Sequence, residues 1–435
     1  MNQKIKRYKL NTPMMLKTIP SLQQLLKPFK SFNSLIILLE KRSYTKASNC
    51  FLACLFFLGI FQITEAQTKD FYFPERNAAW EKRVPEKMGV NEKALQAALN
   101  FASQNEYSGD RDLRIPIAKG FASEPYHKIV GPTKKRGGAA GMILKKGYLI
   151  ASWGDTKRVD MTFSVTKSYL STLAGLARER HLIEVFSDPV KNYVWDSTFD
   201  GAHNSQITWT HLLNQSSDWS GTLWGSHDWA DRPPSEGEID DWKNRTLHAP
   251  GTHFKYNDVR VNVLAYSLLQ TWRQALPQVL KENIMDPIGA SATWRWFGYD
   301  NSWVNMDGQW VQSVSGGGHS GGGLFINTED HARFGLLHLA GGNWAGTQLL
   351  SSQWLEEATT PSNANANYGY MWWLNQGGPR QWKGVPENVY YAAGFGGNFI
   401  VVVPDHDLLV VVRWLEPNKM ETFMKLVMES LQSAK

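Results

Sequence analysis

The 435-residue chain is 42% hydrophobic, ample for a packed core, and has room for one large domain or two modest ones. Its formal charge of +6 suggests a polyanion partner until the charge is located: residues 1–66 carry ten Lys/Arg against two Asp/Glu, leaving 36 basic and 38 acidic residues for the rest. The remainder is therefore slightly acidic, which excludes a nucleic-acid partner for the folded part.

The leader reads as a targeting segment. Lys41, Arg42 and Lys46 precede the apolar stretch Phe51–Ile63, and Thr64-Glu65-Ala66 supplies cleavage positions ahead of Gln67. The apolar run is too short to span a bilayer, so no stable membrane span is expected after cleavage near Ala66, and the product is periplasmic or secreted. Cys50 and Cys54 both lie in this segment, and Cys54 sits near the start of the apolar run, a poor place for lipidation. The mature chain from 67 to 435 then has no cysteine, hence no disulfide, thiol nucleophile or cysteine-bound metal.

Further along, Val90–Glu106 has helical spacing with a start at Val90-Asn91, and Pro116–Arg136 reads as loop. Ala140–Leu144 and Tyr148–Trp153 flank Lys145-Lys146-Gly147 as a β-hairpin. Helical patterns follow over Ser164–Leu182, Thr208–Leu213 and Asp258–Trp272, within a helical subdomain of about residues 165–310. Strands return at Asn398–Val403 and Leu408–Trp414, and Lys419–Ser433 closes as a helix. The fold class is α/β: an antiparallel sheet built from both chain ends, flanked by helices, with a mostly helical insertion.

The chemistry starts at Ser164-Val-Thr-Lys167. Residues three apart on a helix share a face, so the Ser164 hydroxyl and the Lys167 amine can share a proton. As a base the lysine has to fall from about 10.4 to roughly 7–8, which burial or a neighbouring cation would achieve. Tyr256, in Phe254-Lys-Tyr256-Asn257-Asp258 just before a helix, is a second proton carrier or, read alone, a core tyrosine. Ala392-Ala-Gly394-Phe395-Gly396-Gly397 stands before a strand, where glycine admits close backbone approach, so that the Ser164 and Phe395 amides can form an oxyanion hole. His319, in the glycine-rich run Ser315–Gly323, is a candidate substrate contact or a plain loop histidine. The same run contains G-x-G-x-x-G without the strand and helix that a dinucleotide site needs. No H-E-x-x-H or other ligand spacing occurs, so neither metal nor cofactor is expected. Among the nineteen tryptophans, Trp219 and Trp224 are the candidates for a pocket wall.

Five landmarks in order now carry a resemblance: Thr162-Phe-Ser-Val-Thr-Lys167, Leu212-Leu-Asn-Gln-Ser-Ser217, Tyr256-Asn257-Asp258, Gly322–Asp330 and Gly394-Phe-Gly-Gly-Asn398. Over roughly Val90–Trp414 the chain resembles the class C β-lactamase superfamily of serine hydrolases, which includes penicillin-binding peptidases, esterases and 6-aminohexanoate-dimer hydrolases. The resemblance implies a β-lactamase/transpeptidase-like fold, Ser164 as acylated nucleophile, Lys167 as base, Tyr256 sharing proton transfer, and Phe395 as the second oxyanion amide. Two departures stand out. Asp258 occupies the third place of Y-x-N, and Ala392 replaces the cation of K-T-G, so recognition of a β-lactam carboxylate is expected to be poor.

The expected function is an exported esterase or amidase working on a small molecule through an acyl-enzyme. The alternatives are a β-lactamase or D-alanyl-D-alanine peptidase, and a penicillin sensor that never deacylates. Asp258 and Gly394 join His319, Trp219 and Trp224 as expected substrate contacts. A carboxylate facing Lys167 would raise its pKa, so Asp258 is expected to turn away from it or to meet a substrate ammonium.

Overall fold

The computed structural model describes residues 70–431 apart from 377, 379 and 380. The leader of residues 1–66, with Cys50, Cys54 and the cleavage position, lies outside the described residues. Among the described residues, no helix is long and apolar enough to cross a membrane.

Helix α1 (Glu92–Gln104) starts where Asn91 accepts a hydrogen bond from the Ala94 amide at 2.9 Å. The start of the segment expected as loop falls in a short helix, α2 (Arg114–Gly120), with Pro116 in its first turn, where a missing N–H costs little. The hairpin follows as β1 (Ala140–Lys145) and β2 (Tyr148–Trp153), turning through Lys146 and Gly147 at φ of 50° and 81°. After β3 (Asp160–Met161), a 3-10 turn over Phe163–Val165 leads into α3 (Thr166–Glu179), shorter than the expected helix at both ends. Helix α4 (Trp209–Leu213) is capped by Thr208 and α5 (Asp258–Trp272) by Asn257.

The expectation of helical structure to about residue 310 is corrected. Strands β4 (Arg295–Met306) and β5 (Gln309–Val314) form a long hairpin, and β6 (Gly323–Ile326) pairs with β4. An irregularity in the β4–β5 register between Gly298 and Trp303 breaks the two-residue period that would have marked β4 as a strand. The chain continues through α6 (Thr328–Leu339), β7 (Trp373–Leu374), β8 (Tyr390–Gly394), β9 (Asn398–Val403) and β10 (Leu408–Arg413) to α7 (Met420–Ser430).

Six strands in the order β7-β8-β9-β10-β1-β2 make one antiparallel sheet from both chain ends. Every residue of β9 and β10 is buried, because both faces of the sheet are covered. Phe399, Val401 and Val403 face α1 and α7, whereas Ile400 and Val402 face the body containing α3, α5 and α6. Side chains of this size each contribute about 1.5–3 kcal/mol on full burial. The second sheet has the order β3-β6-β4-β5. Arg413 joins the two: its guanidinium donates to the carbonyls of Met161 and Ile326, both at 2.8 Å, and to Asn398 Oδ1 at 2.7 Å. Burial lowers Arg413 to about 10, and three acceptors satisfy it.

Candidate active site

Four pieces of chain converge on Ser164. The first is its own turn, held to β6 by the Thr162 amide on the Leu324 carbonyl at 2.9 Å and by the Leu324 amide on Thr166 Oγ1 at 3.1 Å. Phe163 adopts φ of 49°, a left-handed conformation uncommon outside glycine, and this bend precedes the half-buried serine. The second piece is the end of β8. A Cβ on Gly394 would lie 2.2 Å from the Thr162 carbonyl oxygen and 3.3 Å from the Ser164 nitrogen, so only glycine lets the strand approach the turn this closely.

The third piece is the Tyr256-Asn257-Asp258 corner. Asn257 caps α5 by accepting from the Arg260 amide at 3.0 Å, which leaves Tyr256 just outside the helix and Asp258 in its first turn. The Leu212–Ser217 landmark explains itself here: Gln215 Oε1 accepts from the Asn257 amide at 2.8 Å, and its carbonyl accepts from Lys255 at 3.0 Å. The fourth piece is the glycine-rich loop between β5 and β6. Gly317 backs directly onto the buried charges, and no helix opens from the loop, in keeping with the rejected dinucleotide motif.

Lys167 Nζ donates to Ser164 Oγ at 2.8 Å and to Asp258 Oδ1 at 2.6 Å. Lys167 and Asp258 are almost wholly buried, at 1% and 3% side-chain exposure. The expectation that Asp258 turns away is therefore overturned. Its place in the first turn of α5 aims it across the cleft at the amine, and each buried charge has the other as its partner. Burial pushes Lys167 down, but the charge of Asp258 and the hydrogen bond that the amine donates to it outweigh this, and the amine is held above its ordinary value. The expected depression toward neutrality is absent. Asp258 is in turn held far below the usual carboxylate range, burial notwithstanding, by Lys167, Arg232 and His319.

Tyr256 lies beside this pair, its ring centroid 4.8 Å from Lys167 Nζ and 5.3 Å from the Arg232 guanidinium. Arg232, which the sequence reading missed, approaches Asp258 Oδ2 at 2.8 Å without hydrogen-bond alignment and meets Asp231 at 2.5 Å. His319 is part of the assembly: Nε2 contacts Glu124 Oε2 at 2.6 Å, and Nδ1 lies 3.6 Å from Asp258 Oδ2. Glu124, His127 and His319, and likewise Asp231, Asp258 and His319, bring potential metal ligands together in space that no sequence spacing revealed. Arg232 Nη2 stands 3.3 Å from His319 Nδ1, so a fixed cation already serves this group of carboxylates.

A cavity of about 470 Å³ holds Ser164, Tyr256, Asp258, Gly317, His319, Gly394 and Phe395 on its wall. Trp219 and Trp224 are both absent from it, which corrects the assignment of Trp219 to a pocket wall and moves Trp224 to a different cavity. Trp219 is buried, with its indole N–H on the Thr198 carbonyl and its own carbonyl accepting from Arg260. Trp224 lines a neighbouring cavity of about 330 Å³, which shares Asp258 and His319 with the first. The aromatic wall beside Ser164 comes instead from the sheet, through Trp373, Tyr391 and Phe399, and from Trp382.

No curated protein matches the chain. Solved structures share its fold: a penicillin-binding protein homologue from Caulobacter crescentus has a TM-score of 0.54 at 13% identity, over 79% of this chain and 99% of the other. A β-lactamase/D-alanine carboxypeptidase from Pseudomonas syringae gives 0.51 at 13% identity, with the same shares. A family VIII carboxylesterase gives 0.50 at 15%, over 68% of this chain and 93% of its own. The family model described as Beta-lactamase matches residues 127–421, which contain the whole Ser164, Lys167, Tyr256 and Gly394 assembly. With that match over more than half its length, the chain belongs to the β-lactamase family of serine hydrolases.

Proposed function

We propose that the protein cleaves a small ester or amide through an acyl-enzyme on Ser164. The observation that carries this reading is the 2.8 Å contact of Ser164 Oγ, on the wall of a cavity, with the buried Lys167 behind it.

Lys167 acts once it has lost its proton. Ser164 Oγ then bonds to the substrate carbonyl carbon, its hydroxyl proton passes to Lys167, and the amides of Ser164 and Phe395 hold the oxyanion. Asp258 makes the first deprotonation harder but stabilises the ammonium as it forms during attack. Collapse of the adduct breaks the bond to the leaving group, which takes the Tyr256 hydroxyl proton while Tyr256 is reprotonated from Lys167. Water repeats the sequence to free the acid and Ser164. His319, pinned by Glu124, holds the far side of Asp258 and borders the substrate. Export before action is part of the proposal and rests on the leader sequence alone.

A β-lactam or peptide carboxylate is a poorer fit. Arg232 is the one cation on this cavity wall among the described residues, and it already meets Asp231 and Asp258. The test is labelling with a fluorophosphonate, mapping of the adduct, and turnover of p-nitrophenyl acetate. Repeated turnover that disappears in Ser164→Ala is expected. A single stoichiometric burst identifies a sensor instead, and hydrolysis that survives Ser164→Ala refutes the mechanism.

A further inference from the structure

The cavity beside Ser164 is walled by two groups of rings. On the sheet, Trp373 pairs with Tyr391 and Phe399 with Ala393, and since residues two apart on a strand share a face, these side chains stand on one surface. Trp382 stacks on Tyr391 at 4.1 Å with planes 19° apart, and Tyr256 stacks on Trp373 at 5.7 Å and 22°. The second group surrounds Phe395, with Tyr107, Phe121 and Phe163 at centroid distances of 5.9, 5.9 and 5.2 Å. Both groups line the same space as Ser164. The polar contribution is narrow: Arg232 and Asp258 are paired with each other, Lys167 is paired with Asp258, and His319 is held by Glu124.

From this juxtaposition we infer that the substrate carries an uncharged, planar aromatic group on one side of its scissile carbonyl, bound against the Trp382–Tyr391 platform. The inference rests on the proposed hydrolase reading. Flat rings match flat rings in offset-stacked or edge contacts beyond simple area burial, which a flexible alkyl chain of similar size does not reproduce. A charged group entering this space would lose water without meeting a free counter-charge. The volume of about 470 Å³ suits a one- or two-ring group with its ester or amide.

Two matched series test it. Benzyl acetate against hexyl acetate varies the alcohol, and methyl phenylacetate against methyl heptanoate varies the acyl group. One series is expected to favour the aromatic member by about tenfold in kcat/KM, the effect of one or two ring contacts. Trp382→Leu should reduce that ratio severalfold, whereas Trp303→Leu, an exposed site on β4, should leave it unchanged. Fluorophosphonate labelling of Ser164 in the parent enzyme separates the two levels of the argument. A labelled Ser164 with no aromatic preference in either series, with no turnover of either aromatic ester, or with a ratio insensitive to Trp382→Leu, overturns the aromatic inference and leaves the hydrolase reading standing. Failure of Ser164 to label, together with no turnover, overturns both.

Discussion

Gly317→Ala is a sensitive probe of the buried charge pair. Its added Cβ would stand 1.9 Å from Asp258 Oδ1 and 2.3 Å from Lys167 Nζ. Ordinary non-bonded contact begins near 3.5 Å, so the carboxylate has to retreat by about 1.5 Å and the amine by about 1 Å. The backbone of Gly317 is not left-handed, so the substitution adds no strain besides this clash. Displacing a catalytic group by about 1 Å costs on the order of a hundredfold in rate, or about 2.7 kcal/mol of barrier. Overpacking at a buried site costs about 1–3 kcal/mol of stability, within the 5–15 kcal/mol typical of a folded domain, so the variant is expected to fold. The assay is kcat/KM on p-nitrophenyl acetate beside a thermal melt. A folded variant that retains kcat/KM within about threefold would refute the assignment of Lys167 and Asp258 to the chemistry.

Three further outcomes are expected. Because Asp258 holds Lys167 above its ordinary value, Asp258→Asn moves the rising limb of the pH–kcat/KM profile to lower pH; an unmoved profile rules out Asp258 as the group that sets the Lys167 proton. His338 is buried with no hydrogen-bond partner on either ring nitrogen among the described residues, and burial lowers it from 6.5 to about 3. It is therefore neutral in the fold, and its contribution is intact above the unfolded value of 6.5 and falls as the unfolded chain takes up a proton below it. The loss is about 2 kcal/mol near pH 5, and His338→Leu should remove that part of the acid sensitivity in denaturant titrations at pH 7.5 and 5. Gly175→Ala, whose Cβ would meet the Trp354 ring at 2.4 Å, should lower thermal stability by about 1–3 kcal/mol while the rate of Ser164 labelling stays unchanged.

The sequence by itself determined the elements that depend on neighbours along the chain. Asn91, Thr208 and Asn257 signal helix starts through capping; Lys146-Gly147 sets the hairpin; and the apolar runs of β9 and β10 mark strands buried on both faces. The spacing of Ser164 and Lys167 likewise fixed their common face, and the ordered landmarks pointed to the family. Tertiary structure alone decided what surrounds them. Asp258 is ninety-one residues from Lys167, and whether it meets the amine depends on the crossing of α3 and α5, which no local pattern encodes. Arg232, Glu124 and His319 join the same charge cluster from three loops, and the aromatic wall comes from β7, β8, β9 and Trp382, whereas Trp219 and Trp224 go elsewhere. Local geometry follows from interactions within a few residues. The proton affinity of a buried group follows from the charges the whole fold gathers around it, and so the chain marks its candidate nucleophile while only the assembled molecule shows what surrounds the lysine.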